Sequence, residues 1–270
     1  MLAAMPKTSS PRNKACHEGQ PEAASAVMLK QAFAPLVDLV YPPRCPICGD
    51  AIGEHGALCL PCWNELVIPG VPACASCQRP FGNADMPAGS LCAVCLAEQP
   101  RHAGISAATL YNDTSRKLVL AFKHGNKIAL SRMLAKMILA RLPELESEWL
   151  VVPVPLHFRR QWQRGFNQSA LLAREIAKAR GHELLVDGLQ RTRATPSLGG
   201  LGRKERAKGL TGVIVANPKR TGKLDGAQIL LVDDVMTSGA TTNACLKALR
   251  KAGAETMRIA CFARVLDEAL

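Results

Sequence analysis

Apolar residues in the second half of the chain occur in two alternating patterns. Short, largely apolar runs predict buried strands, and apolar residues at three- and four-residue spacing predict helices with one buried face. The predicted strands span residues 105–111, 149–154, 227–232 and 256–262, and the predicted helices span residues 114–122, 130–142, 165–180 and 239–251. Because strands and helices alternate, the pattern predicts an α/β domain built on a mainly parallel sheet.

The first forty residues follow a different pattern. Residues 1–26 carry few large apolar side chains and are expected to be disordered, whereas residues 27–40 have a helix-like apolar stripe interrupted by Pro35. No run of eighteen apolar residues and no secretory signal occur, so we expect a cytoplasmic protein without stable membrane insertion. The expected organisation is a disordered segment (1–26), an amphipathic helix with a cysteine-rich module (27–100) and the α/β domain (101–270).

Eight of the eleven cysteines form four C-x2-C pairs between the amphipathic segment and the α/β domain. In a reducing compartment such clustered thiols are metal ligands rather than disulfides, and eight thiolates make two tetrahedral zinc sites with no open position for a substrate. We therefore predict two structural zinc ions. The simpler arrangement has two C-x2-C pairs that are neighbours in the chain binding the same zinc ion. The sequence does not exclude an interleaved arrangement. The predicted ligands are Cys45, Cys48, Cys59, Cys62, Cys74, Cys77, Cys92 and Cys95.

The net charge of +12 belongs to the second part of the chain. Residues 1–100 contain 6 Lys and Arg against 8 Asp and Glu, and residues 101–270 contain 28 against 14. A positive field of this size favours polyanions or phosphorylated ligands without choosing among them. It equally suits a basic surface with no specific ligand.

The segment 229–241, ILLVDDVMTSGAT, carries the most specific chemistry. An apolar strand ends at two acids and continues through a turn of small residues into a helix. A phosphate on this turn would meet backbone N–H groups at the positive end of the helix dipole, and Asp233 and Asp234 would accept hydrogen bonds from sugar hydroxyls. The turn residues are Thr237, Ser238, Gly239, Ala240 and Thr241.

This segment resembles the motif with which type I phosphoribosyltransferases bind phosphoribosyl pyrophosphate (PRPP). The segment 151–173, VVPVPLHFRRQWQRGFNQSALLA, the upstream AFKHG at 121–125 and the preceding cysteine module together resemble the ComF competence family over roughly residues 28–265. The resemblance implies a type I phosphoribosyltransferase-like α/β fold, with helices on both faces of the sheet, preceded by a small zinc-ribbon module. It also implies PRPP bound with Mg²⁺.

By the same resemblance, a pyrophosphate group would lie at the end of the strand near Pro153, Val154 and Pro155. Three guanidinium groups, those of Arg159, Arg160 and Arg164, could neutralise it, since guanidinium matches phosphate geometry. The stretch 192–212 corresponds to a loop that closes over PRPP in relatives. Here the chain has Leu198 and Gly209 where the family pattern has Gln and Asn, which affects the expected loop contacts but not the phosphate turn.

Residues 157–223 carry 15 Lys and Arg against 4 Asp and Glu, interleaved with aromatic residues. Cations for a phosphate backbone and aromatics for base stacking are what binding of single-stranded nucleic acid requires, although these aromatics suit a core equally well. The predicted contacts are Phe158, Arg159, Arg160, Trp162, Arg164, Arg203, Lys204, Arg206 and Lys208.

Two functions therefore fit the sequence. The first is a PRPP-binding protein of DNA uptake that contacts single-stranded DNA. The sequence does not decide whether this protein also transfers the phosphoribosyl group to an acceptor. The second is a catalytically inactive DNA-binding adaptor on the same scaffold. In both cases the family resemblance makes a DNA-uptake helicase or a recombination protein a candidate partner.

Overall fold

The computed structural model describes residues 41–82, 85–124, 128–146, 148–158, 162, 165–193, 209 and 212–266. The described chain from Arg44 onward forms one compact unit, separate from residues 1–43. Residues 1–43, with the segment 1–26 and the predicted helix 27–40, lie almost wholly outside the described residues. In the described ranges no helix is both long enough and apolar enough to cross a membrane.

The unit from Arg44 onward is built on a five-stranded parallel sheet with the strand order β1-β7-β6-β2-β3. Its strands are β1 (Ile105–Leu110), β2 (Trp149–Pro153), β3 (Glu183–Leu184), β6 (Gln228–Met236) and β7 (Thr256–Arg264). A separate antiparallel ribbon joins β4 (Leu189–Arg191) to β5 (Ile214–Ala216). The helices are α1 (Leu60–Asn64), α2 (Ala93–Ala97), α3 (Asp113–His124), α4 (Leu130–Leu139), α5 (Gln168–Arg180), α6 (Thr221–Leu224) and α7 (Ala240–Lys251), with a 3-10 turn at Pro218–Arg220.

Helices cover both faces of the sheet, as the alternation within β6 shows. Leu230 and Val232 lie in a core cluster with residues of α4 and α5, whereas Ile229 and Leu231 lie in a second cluster with residues of α7. Successive side chains of a strand point to opposite faces, so a run that is apolar at every position requires a layer on each side. The predicted fold class is therefore confirmed.

The elements predicted between residues 105 and 262 are present, with shifted ends. Helix α5 begins at Gln168 rather than at 165, because the side chain of Asn167 accepts a hydrogen bond from the Ser169 N–H (3.1 Å) and Gly165 has a left-handed φ of 75°. Strand β6 extends to Met236, so the two acids lie inside the strand near its end. The sequence pattern did not predict β3 or the β4–β5 ribbon.

The cysteine region covers the outer edge of β1, which is an edge strand. The backbone N–H of Ile105 donates to the carbonyl of Ser76 (3.0 Å), and that of Ala107 donates to the side-chain oxygen of Gln78 (3.0 Å). Further along the strand, the N–H of Leu110 donates to the carbonyl of Val67 (2.7 Å). These bonds satisfy edge groups that would otherwise lack partners, and they attach the cysteine region directly to the sheet.

Candidate functional site

The turn between β6 and α7 forms a concave backbone surface at the carboxyl edge of the sheet. Gly239 has a φ of 74°, in the left-handed region that glycine adopts without strain, and a Cβ there would lie 3.1 Å from the Met236 side chain. The first N–H groups of any helix lack acceptors within that helix, so those at the start of α7 are available to an anion. The hydroxyl of Thr242 donates to the Gly239 carbonyl (2.9 Å) and holds the turn in place.

The acid pair lies beside this turn, and each carboxylate has its own partners. One oxygen of Asp233 accepts hydrogen bonds from the Ser169 hydroxyl (3.0 Å) and from the backbone N–H of Asp234 (2.9 Å). Asp234 forms an ion pair with Lys123 (2.7 Å) and accepts a bond from the Val235 N–H (2.7 Å). The two carboxylates are therefore oriented by partners from three elements, α3, α5 and β6.

Burial separates the protonation behaviour of Asp233 from that of an ordinary aspartate. Its side chain is only 8% exposed. Burial first, and then the negative charge of Asp234, raise the pKa of Asp233 to about 7, although Lys123 opposes the shift. Asp233 thus exchanges a proton near neutral pH, and a bound cation or hydrogen-bond donor would favour its ionised form.

The acid pair and the turn line a cavity of about 420 Å³, together with residues that the sequence analysis did not assign to the site. Lys123 comes from α3, Ser169 from the first turn of α5, and Arg191 from β4. Asn167 donates from its amide to the Val154 carbonyl (3.1 Å) and so links the segment after β2 to the start of α5. Val154 and Pro155, which the sequence assigned to a pyrophosphate subsite, also line this cavity, whereas Pro153 ends β2.

The structure describes only part of the predicted basic surface. The residues Arg159, Arg160, Arg164, Arg203, Lys204, Arg206 and Lys208 lie outside the described residues. Phe158 and Trp162 are described and are 68% and 89% exposed, so the core interpretation of these two aromatics is wrong. Phe166 is partly buried against Phe122, with ring centroids 6.2 Å apart, and belongs to the core.

The eight cysteines of the C-x2-C pairs come together in two groups of four. Cys45, Cys48, Cys59 and Cys62 form the first group, and Cys74, Cys77, Cys92 and Cys95 form the second, with all sulfurs of a group within 4.8 Å of one another. The sequential arrangement is thus the one observed.

The geometry of both groups suits a tetrahedral metal ion. The sulfurs of Cys48 and Cys59 are 3.4 Å apart and those of Cys77 and Cys92 are 3.6 Å apart. Four ligands at about 2.3 Å around zinc would lie roughly 3.8 Å apart, so small shifts suffice. Desolvation first, and then the neighbouring thiols, raise the pKa of Cys62 and of Cys95, so a group cannot ionise fully without a cation. Both groups fit structural zinc.

Comparison with known proteins assigns the two parts of the chain to known domains. Residues 36–100 match the family model "Double zinc ribbon domain", and residues 182–269 match "Phosphoribosyl transferase domain". Competence protein F of Haemophilus influenzae is 28% identical over 221 residues, which are 76% of this chain and 96% of that protein. The chain is therefore similar over most of its length to a competence protein. The DNA utilization protein YhgH of Salmonella typhi is also 28% identical, over 84% of this chain and all of its own length.

Among solved structures, the allosteric regulatory enzyme of purine biosynthesis aligns with 53% of this chain at 20% identity and a TM-score of 0.37. The aligned part is 30% of that enzyme's own chain.

Proposed function

We propose that this chain binds PRPP together with Mg²⁺ at the 420 Å³ cavity and acts in the handling of incoming DNA. The observation that supports the first part is the acid pair, which Ser169 and Lys123 hold beside the N-terminus of α7. The names of the relatives, a competence protein and a DNA utilization protein, support the second part. This role would place the protein in the cytoplasm, where a DNA-uptake helicase or a recombination protein could be its partner.

Each part of the cavity would contact a different part of PRPP. The turn 237–241 offers backbone N–H groups and the hydroxyls of Thr237, Ser238 and Thr241 to the 5'-phosphate. Asp233 and Asp234 would accept hydrogen bonds from the ribose hydroxyls. The negative carboxylates would repel a phosphate, so the phosphate would bind at the turn instead. The segment 153–155 would face the pyrophosphate, and Arg159, Arg160 and Arg164, which follow it in the sequence, would supply guanidinium groups to neutralise it. Mg²⁺ would neutralise pyrophosphate oxygens when bound.

Binding of PRPP does not by itself require phosphoribosyl transfer. An active transferase would additionally release pyrophosphate when an acceptor is supplied, whereas an inactive adaptor on the same scaffold would bind PRPP or DNA without releasing it. The two alternatives are therefore separated by assaying pyrophosphate, not by the binding measurement.

Replacing both acids by their amides, Asp233→Asn with Asp234→Asn, should abolish PRPP·Mg²⁺ binding measured by calorimetry on the purified protein. The amides keep the side-chain size but lose two charged acceptors for the sugar hydroxyls, and a hydrogen bond to a charged group contributes about 1.5–3 kcal/mol. Two such losses amount to a drop in affinity of at least about a hundredfold.

The matched control is Glu146→Gln with Glu148→Gln, which removes two exposed carboxylates outside the cavity. Both double variants gain the same positive charge, and charge alone would strengthen binding of an anion. A selective loss in the Asp233/Asp234 variant, with zinc content unchanged, therefore supports the site. Undiminished PRPP affinity in that variant would exclude it.

The exposure of Phe158 and Trp162 favours a second function, binding of single-stranded DNA. Exposed aromatics beside a basic segment can stack on bases, and each stacked base contributes about 1–3 kcal/mol. Trp162→Ala should therefore weaken binding of a short oligonucleotide by about five- to a hundredfold in fluorescence anisotropy. Trp63→Ala removes another exposed tryptophan, 46% exposed, in the first cysteine module and is the control. Equal affinities for both variants would remove Trp162 from the DNA surface.

A further inference from the structure

A second cavity, of about 930 Å³, lies on the other side of the phosphate turn. Its walls are the second cysteine group with the connection 98–102, one face of α7, and strand β5. It shares Thr237, Ser238, Gly239 and Ala240 with the 420 Å³ cavity. A volume of this size is within the usual range for small-molecule sites. The acid pair does not line the second cavity, so the proposed binding of PRPP does not explain what this cavity does.

The face of α7 that lines this second cavity has both apolar and cationic residues. Ala244, Lys247, Ala248 and Lys251 recur at three- and four-residue spacing and so lie on one side of the helix. The two alanines are partly buried and the two lysines are exposed. Together with Val94 and Val215 on the opposing walls, the alanines give the cavity an apolar floor below a cationic rim.

The charges that face the second cavity are mostly positive. Arg79 and Arg264 lie next to the second cysteine group, and their charges would balance its thiolates rather than attract a ligand. Arg264 bonds to Cys77. His102 adds no charge at neutral pH, since burial first, and then Arg264 and Arg258, lower its pKa to about 4.

What remains on the rim is three cations against one acid. The cations are Arg101, Lys247 and Lys251, and the acid is Glu98. Within the described part of the chain, none of these three cations has an ion-pair partner. An anionic ligand would therefore gain attraction at the rim without having to break an existing salt bridge.

The residue types also exclude a stacked nucleic acid strand from this second cavity. No Phe, Tyr or Trp is present among the described residues that line it, and base stacking on aromatic side chains is the usual basis of single-strand binding. We propose that the second cavity binds a small organic anion, a phosphate or carboxylate compound with an apolar body. Its anionic group faces Lys247 and Lys251, and its apolar body contacts Ala244, Ala248 and Val215.

The test uses 8-anilinonaphthalene-1-sulfonate, an organic anion whose fluorescence increases in apolar surroundings, titrated into the full-length, zinc-loaded protein. Lys247→Glu with Lys251→Glu should weaken its binding by about tenfold or more, because two attractive charges become repulsive. The control, Arg174→Glu with Lys178→Glu, has the same spacing and the same charge change on exposed positions of α5, and it lines neither cavity. Its affinity should stay within about twofold of the parent.

Competition then identifies the ligand chemistry. Phenyl phosphate, which has a phosphate and a ring body but no ribose, should displace the probe, whereas inorganic phosphate at the same concentration should not. Equal affinities of the two double variants, or equal displacement by phenyl phosphate and by inorganic phosphate, would overturn the proposal. The Asp233→Asn with Asp234→Asn variant should bind the probe as the parent does, because the acid pair does not line the second cavity, and this separates the result from the PRPP site. Unchanged zinc content in each variant shows that the protein remains folded.

Discussion

Cys77→Ser should remove one of two zinc ions and also disrupt the sheet edge. All four cysteines of the second group are buried and belong to the same core cluster as Ile105, Ile259 and Leu246. The knuckle between Cys74 and Cys77 holds the Ser76 carbonyl that accepts from β1. Because metal binding in such modules is coupled to folding, we expect a loss of several kcal/mol, of order 3–5, in the free energy of unfolding.

The control for this change is Cys48→Ser in the first cysteine group. Cys48 is exposed, and its group lines neither cavity. Each variant should contain one zinc ion per chain by metal analysis, but only Cys77→Ser should show a large drop in Tm by circular dichroism. If both variants lost stability equally, the second group would have no special relation to the sheet edge.

Asp233→Asn as a single change should stabilise the protein at pH 8 while it weakens PRPP binding. The folded-state pKa of Asp233 is raised to about 7 from its usual value of 3.8, so the folded protein binds this proton more tightly than the unfolded chain does. The contribution of protonated Asp233 to the free energy of unfolding is therefore fully present below about pH 4. It decreases as the pH rises and is absent above about pH 7. An amide does not ionise and avoids that loss, which the shift limits to about 1–4 kcal/mol.

The measurement is thermal unfolding of the parent and of Asp233→Asn between pH 5 and pH 8. The Tm advantage of the variant should grow as the pH rises and level off above pH 7. The amide oxygen can still accept from the Ser169 hydroxyl and from the Asp234 N–H, so the folded geometry is retained. A difference in Tm that stays constant with pH would show that Asp233 titrates like an exposed aspartate.

The acid pair and the phosphate turn could be predicted from the sequence because their chemistry is contiguous in the chain. Segment 229–241 contains the strand, the acids and the turn, and β6 and α7 follow it closely. Lys123 and Ser169 could not be predicted in this way. They reach Asp234 and Asp233 from 111 and 64 positions upstream, and only the packing of α3 and α5 on the sheet brings them there.

Other differences have local explanations. The start of α5 was predictable in principle, because Asn167 is a favoured N-cap residue and the N–H that it bonds is two positions downstream. Strands β4 and β5 have three residues each, which is too short for an alternating pattern to identify them. The pairing of the cysteine knuckles depended on three-dimensional proximity, which spacing does not determine.

The cover over β1 also constrains how this protein can evolve. An uncovered edge strand of sequence ISAATL, with no charged residue, would pair with the edge of another copy and lead to aggregation. At the opposite edge of the sheet, β3 is only two residues long and offers little surface for such pairing. Deletion of the cysteine region would therefore expose the one long edge, so a descendant of this protein could lose its metal-binding half only after acquiring another cover for β1.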